Sequence, residues 1–391
     1  MKLKYFAVLF TAIMCFSSCG NEEEATDSFA TSSNEERIAQ VALAFAKSIN
    51  DDPSTRGVSG KEMSVKGVYK LAIRNNATRS ASIGDGNSFF TVPMNANLGT
   101  VVVATNGNAV CPVAYFKDEN AIDPNTVMED TVSDAAYIVQ TVVNMDDSFQ
   151  DMSQMPDKEE PSTPSIRIVE RMQPKCKVFW DQDDPYNEYC PMIDTVHAAA
   201  GCVAVAGAEA LTVLRPKMDL ATSWDELVKE PYYRSAEATD EMKQLIYKIS
   251  VAVHTSYGIK KSGANVAYLS ELFSKYGIVD YGIKHMIDVL KTEHGIVVVS
   301  GFRAKHGWGP TKHYVDGHVF LADGYVKYNT ERNPYYFHLN YGWGIGYAKD
   351  VYVLSNEMIW DEAEARKAYG TIYPHKMNAY SYTYESEKNW N

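Results

Sequence analysis

Apolar positions along this chain recur at two different spacings. Residues 35–50, EERIAQVALAFAKSIN, place Ile38, Val41, Ala42 and Phe45 on one face of an amphipathic helix, which the polar run DDPSTRG ends. Over residues 62–116 the rhythm changes. FFTVPMN, LGTVVVAT and AVCPVAYF are rich in β-branched and aromatic residues and read as strands, with Asn-Gly at the centre of the TNGNA turn. Residues 126–149 return to helical spacing, so residues 35–150 predict a small α+β module. The polar, proline-containing stretch QDMSQMPDKEEPSTPS (150–165) then breaks all periodicity and predicts a linker. Beyond it the chain predicts an alanine-rich apolar helix over 201–214 and further helices over 237–254 and 265–275. GIVVVSGFR, HVFLADGYV and YYFHLNYGW predict strands of an antiparallel sheet. Helices first and sheet second is an α+β layout. No internal repeat is evident.

The N-terminus has a different pattern. Lys2 and Lys4 precede a twelve-residue apolar run, YFAVLFTAIMCF, too short to span a bilayer comfortably. Two serines then lead to Cys19, and the acidic GNEEEATDS follows. The arrangement resembles a bacterial lipoprotein signal with Cys19 as the lipidated residue, and the acidic run resembles a surface-export tether. Phe16 is a poor match to the usual leucine, which leaves an ordinary signal peptide open. The expected organisation is a signal over 1–19, a tether over 20–34, the module over 35–150, a linker over 151–170 and a second domain over 171–391. The expected location is the outer membrane or cell surface, or the medium after processing.

Composition narrows the function classes. A chain of 391 residues with 45% hydrophobic content suits two domains with a sizeable core. A net charge of −13 without a long basic run disfavours nucleic acid and anionic membranes as partners, apart from a lipid anchor. Cys111, Cys176, Cys190 and Cys202 follow Cys15 and Cys19 at irregular spacings that match no zinc pattern. No H-E-x-x-H motif occurs, so neither a metal nor another cofactor is expected. An exported chain can oxidise its thiols, but nothing compels Cys176 to pair with Cys190.

Cys202 stands out by its surroundings, HAAAGCVAVAGAEAL, where Glu209 is the only charge after His197. Gly201 permits a tight turn into a helix, and a thiol at a helix N-terminus is acidified by the helix dipole. Locally, a buried structural thiol and a nucleophile fit equally well. A nucleophilic cysteine needs a base and a group that orients it. Of the nine histidines, His197 is too close along the chain, and His254 and His294 sit in or near helices. His306 and His313 lie in the loop-like KHGWGPTKH. His318 follows Gly317 at the start of a strand, a suitable place for a base. Asn340, in FHLNYGWGIGY, has an amide oxygen able to accept from an imidazole, with aromatic neighbours to screen the bond. Gln182, in FWDQDDPYN, offers an amide donor for an oxyanion beside the Cys202 backbone N–H.

The four segments DQDDPYN, HAAAGCVAVAGAEAL, GHVFLADGY and FHLNYGWGIGY, in that order, resemble the streptopain-type cysteine proteases, bacterial relatives of papain. The similarity spans roughly residues 178–355. It implies a papain-like fold preceded by an α+β pro-domain. It further implies Cys202 as nucleophile, His318 as base, Asn340 as its orienter and Gln182 as oxyanion donor, with Gly201, Gly317, Tyr341 and Trp343 around the cleft. Tyr341 replaces the family's usual tryptophan, and Ala200 its usual threonine. The strands ending in PVAYF are similar to the family's pro-domain. A zymogen is therefore expected, inhibited by its own pro-domain and opened by a cut at Lys158, Arg167 or Arg171, with proteins or peptides as substrates. Two competing readings are another Cys–His amidase acting on cell-wall peptides and a catalytically silent surface binding protein. The Gln182 and Asn340 segments and the linked module disfavour the first. The presence of all four groups disfavours the second.

Overall fold

The computed structural model describes residues 33–51, 62–71, 88–105, 109–117, 151–155, 166–219, 221–306, 313–330, 335–345, 350–355 and 375–384. The expected helix over 126–149, the tip of the TNGNA turn, Cys19 and Lys158 lie outside them. The N-terminal part contains α1 (Ser33–Asn50), β1 (Tyr69–Lys70), β2 (Ser88–Pro93), β3 (Thr100–Thr105) and β4 (Val110–Phe116). After β5 (Ile168–Met172) come β6 (Met192–Ile193), β7 (Val196–His197), α2 (Cys202–Leu214), α3 (Trp224–Leu227), α4 (Ala236–Ala252) and α5 (Ala267–Ser274). The chain then runs through β8 (Val279–Asp280), α6 (Met286–Lys291), β9 (Gly295–His306), β10 (His313–Tyr328), β11 (Tyr335–Asn340), β12 (Val351–Ser355) and β13 (His375–Thr383).

Local chemistry accounts for the helices. Glu35 and Glu36 in the first turn of α1 and Lys47 in its last complement the helix dipole, while Ile38, Val41, Ala42, Phe45 and Ile49 form its buried face. Ser235 caps α4 by accepting from the Ala238 N–H at 3.1 Å. α2 has no polar face: every residue from Val203 to Leu214 is buried, as expected of a helix at the centre of a domain.

An 11-stranded sheet, ordered β1-β2-β3-β4-β12-β11-β10-β9-β13-β8 with β5 also against β10, joins both halves of the chain. The link is the antiparallel pairing of β4 with β12, Val351 opposite Phe116 and Val353 opposite Ala114. The polar stretch after residue 150 therefore separates two segments of chain but not two sheets. β9 and β10 are buried on both faces. Val297, Val299, Phe320 and Ala322 join the core built with α1 and β2–β4. Their neighbours Ile296, Val298, Val319 and Leu321 join the core built with α2, α4 and α5. Double-sided burial explains why these strands read as continuous apolar runs.

Besides the β4–β12 pairing, two side-chain contacts among those described help to fasten the module to the sheet. At one, the Phe45 ring packs on Tyr336 and Tyr328 with centroids 4.6 and 5.8 Å away. Nearby, Ser48 Oγ and Tyr328 Oη are 2.7 Å apart. Arg171 donates from its guanidinium to the carbonyls of Ile49 (2.9 Å) and Ser48 (2.5 Å), at the negative end of α1. This corrects the expectation for Arg171, which is no linker residue. It lies in β5, opposite Val326 of β10, and cleavage there would require a paired strand to unfold. Arg167 is exposed but held at the sheet edge: its N–H donates to Asn329 Oδ1 at 2.7 Å and its carbonyl accepts from the Asn329 N–H at 3.1 Å.

The second fastening is a chain of charges. His338 is buried between Asp323, 2.5 Å from Nδ1, and Asp350, 3.1 Å from Nε2. Asp350 in turn meets Lys117, just past β4, at 3.0 Å. Burial pulls the His338 imidazole down, but the two carboxylates outweigh it and push it up to about 9 from 6.5. Burial opposes ionisation of Asp350, yet His338 and Lys117 hold its carboxyl well below its ordinary value of 3.8. The histidine's contribution to stability is complete below pH 6.5 and is lost as pH rises through about 9. The Asp350 contribution is complete above pH 3.8 and is lost in stronger acid. The thermal midpoint of the full chain should therefore fall between pH 7 and 10, and a His338→Phe variant should lose most of that dependence in a calorimetric pH series.

Candidate active site

The turn into α2 is fixed by backbone bonds from three directions. The N–H groups of Ala198, Ala199 and Ala200 donate to the carbonyls of Pro191, Gly258 and Gln182 at 2.9, 3.0 and 2.8 Å. Gly201 then adopts φ 91° and ψ 139°, a backbone that side chains disfavour, and its carbonyl accepts the first bonds of α2 from Ala204 and Val205. A Cβ at Gly201 would also touch the Ser262 Cβ at 3.4 Å. Gly201→Ala should lower the unfolding free energy by about 1 kcal/mol or more through strain. It should also displace the thiol, so that peptide hydrolysis falls further than the fraction folded, measured by urea titration alongside an activity assay.

Cys202 is half-buried at the first position of α2, and Cys111, Cys176, Cys190 and Cys202 are all free thiols. Burial raises the Cys202 pKa, while the backbone N–H groups of Val319, Val203 and Cys202 itself partly restore its acidity. The contact with Val319 brings the sulfur to β10 one residue beyond His318. His318 is buried, 6% exposed, and sits opposite Gly301 of β9. Gly317 keeps it there, because a Cβ at that position would lie 2.9 Å from the Phe302 ring.

One nitrogen of the imidazole is held by the backbone. Its Nε2 donates to the Tyr341 backbone carbonyl at 2.7 Å. Its ring stacks with Trp343 at 5.1 Å, Phe320 at 5.9 Å and Tyr341 at 6.4 Å. Strand alternation puts His318 on the face of Phe320, while Val319 faces α2. Cys202 and His318 thus meet at adjacent positions of β10, the sulfur at Val319 and the imidazole on the Tyr341 carbonyl. Tyr341, in place of tryptophan, is 1% exposed and stacks on Trp343 at 4.7 Å and 12°. The aromatic screen persists with the smaller ring.

Asn340 does not play the orienting part expected from its amide. Its Oδ1 accepts from the Gly342 N–H at 3.0 Å and its Nδ2 donates to the Val178 carbonyl at 3.0 Å, which fixes the amide away from His318. The neighbouring Tyr341 carbonyl takes the imidazole N–H instead. A side chain at the end of β11 can bridge two segments, whereas only the following peptide reaches the ring. Gln182 is half-buried, and its carbonyl holds Ala200, two residues before Cys202.

Three of the other histidines have structural partners. His197 Nδ1 lies 2.8 Å from the Cys190 carbonyl, His294 Nδ1 lies 3.1 Å from the Val213 carbonyl, and His254 packs edge-on against Tyr268. Two features escaped the sequence reading. The Asp323–His338–Asp350 chain carries no motif. Glu209 is fully buried in α2, and its signal was plain: a lone charge within an apolar helix. Among the described residues no group of His, Cys, Asp and Glu is arranged to hold a metal ion.

Residues 180–352 match the family model described as the Peptidase C10 family, a span that holds Gln182, Cys202, His318 and Asn340. No curated protein matches the chain. A prointerpain A fragment from Prevotella intermedia, carrying a cysteine-to-alanine mutation, aligns at TM-score 0.48 and 14% identity, over 82% of this chain and 100% of that one. Active wild-type interpain A cysteine protease from the same organism aligns at TM-score 0.35 and 18% identity, over 57% of this chain and 97% of that one.

Proposed function

We propose that this chain, a cysteine-type peptidase whose residues 180–352 belong to the peptidase C10 family, is the latent proenzyme of an exported cysteine endopeptidase. The observation that carries the reading is the Cys202 thiol at the glycine-led start of α2, against β10 beside His318. In the active form the imidazole keeps its Nε2–H on the Tyr341 carbonyl, which leaves Nδ1 as the base that takes the thiol proton. The thiolate attacks a peptide carbonyl, and the oxyanion rests on the Gln182 amide and the Cys202 backbone N–H. His318 protonates the leaving amine, and water then cleaves the thioester.

Latency is supported by the same geometry. A thiol raised by burial is a poor nucleophile at neutral pH. The module grips the Tyr328 end of β10, the strand whose other end carries His318. Cleavage in the polar stretch that contains Lys158 would release that grip. Export and attachment through a lipid on Cys19 complete the proposal, tested by whether Cys19→Ser moves the protein from membranes to the medium. No described helix is long and apolar enough to cross a membrane.

The deciding experiment titrates processed protein with a thiol-directed epoxide. One adduct on Cys202, with parallel loss of casein hydrolysis, supports an endopeptidase. Cleavage of purified cell-wall peptides but not of casein favours the amidase reading. Full casein hydrolysis after an adduct elsewhere would sink the assignment of Cys202.

A further inference from the structure

We propose that Glu209 is a positioning residue for this reaction, fixing the nucleophile helix, the Gln182 segment and the Tyr341 carbonyl in one frame. The inference rests on the cysteine-peptidase reading above. Glu209 lies seven residues after Cys202, two turns or about 10 Å further along α2. It is fully buried, and its Oε1 accepts the Trp180 backbone N–H at 2.8 Å. The Trp180 carbonyl accepts the Gly344 N–H at 3.0 Å, so this strand of backbone is held between α2 and the 340–344 turn. Two residues on, the Gln182 carbonyl takes the Ala200 N–H, and Cys202 follows two residues after that. The bonds close a ring that runs from Glu209 through Trp180, Gln182 and Ala200 to Cys202, and back along α2.

A second branch reaches His318. The Asn340 amide lies against the Glu209 carboxyl and donates to the Val178 carbonyl. The turn it starts is pressed onto α2. A Cβ at Gly342 would stand 3.2 Å from Val205 Cγ1 and 3.7 Å from Glu209 Oε2. Tyr341, within that turn, supplies the carbonyl that holds the imidazole.

The side chain must be an acceptor without being a full charge. Burial raises the Glu209 carboxyl well above its ordinary range, and Asp323 and Asp181 oppose its ionisation further. Its buried Oε2 has no hydrogen-bond partner, a costly arrangement for an anion and a tolerable one for a neutral acid. Cys176 and Tyr186, both raised chiefly by burial, are further ionisable neighbours. A hydrophobic side chain of similar size would fill this space but leave the Trp180 N–H without its acceptor.

The test uses processed full-chain enzyme with Glu209→Gln, Glu209→Leu and Asn340→Ser, assayed for kcat, KM and the pH profile of epoxide inactivation. Glu209→Gln keeps a neutral acceptor and should stay within about 3-fold of the parent kcat. Glu209→Leu keeps the volume but loses the acceptor. Its kcat should fall about 10- to 100-fold at nearly constant KM, as sub-ångström to 1 Å misplacement costs. The acid limb of its inactivation profile, which reports on His318, should move as well. Should Glu209→Leu fail to fold, Asn340→Ser decides, and it should show the same kcat loss at constant KM. An unchanged kcat in the deciding variant, or an equal fall in Glu209→Gln, overturns the inference. An inactive parent enzyme defeats the cysteine-peptidase reading instead.

Discussion

Cys202→Ala should abolish hydrolysis of protein substrates, with kcat lowered on the order of 10⁴-fold or more, because no other group can form the covalent intermediate. The exchange removes one sulfur from a half-buried position at a helix start. The folded state should survive, with an unchanged thermal midpoint and circular dichroism spectrum. Linker cleavage separates two activators: if the enzyme processes itself, the variant stays full-length, and if another protease does so, the variant is cut but silent. His318→Ala should be comparably inactive while keeping a reactive thiol at high pH. Casein hydrolysis at the parent rate by purified Cys202→Ala would refute the mechanism.

Loss of the N-terminal module should raise the rate of Cys202 alkylation by iodoacetamide at pH 7 by about 100-fold or more. In the full chain the thiol is raised by burial and the imidazole is held by the Tyr341 carbonyl. Thiolate therefore accumulates only at alkaline pH, and the alkylation rate should climb with pH through that range. Once Nδ1 of His318 pairs with the sulfur, the thiolate is stabilised as an ion pair, and each unit of pKa lowering increases its fraction at pH 7 about tenfold. The measurement is a rate–pH profile before and after processing, with adducts located by mass spectrometry. Superimposable profiles would show that the module does not restrain the thiol–imidazole pair.

The local elements were legible in the chain because burial on one or both faces leaves a periodic trace. The α1 face, the β2–β4 run, the apolar α2 and the doubly buried β9 and β10 all carry it. β5 was not legible, since a five-residue strand with half-exposed positions differs little from the linker before it. The pairing of β4 with β12 was invisible for another reason: backbone bonds between segments more than two hundred residues apart leave no mark on either sequence.

The sequence by itself named the candidate reactive groups. Cysteine, histidine and glutamine appear in an order and with neighbours that specify chemistry, and a glycine marks the turn that presents the thiol. Only the tertiary structure decided what those groups do in this state. It turned Asn340 toward Val178, gave the imidazole to the Tyr341 carbonyl, and set Arg171 as a clamp on α1. Hydrogen bonds are directional and short, so an order of side chains along the chain leaves several partners open until packing brings one of them within 3 Å.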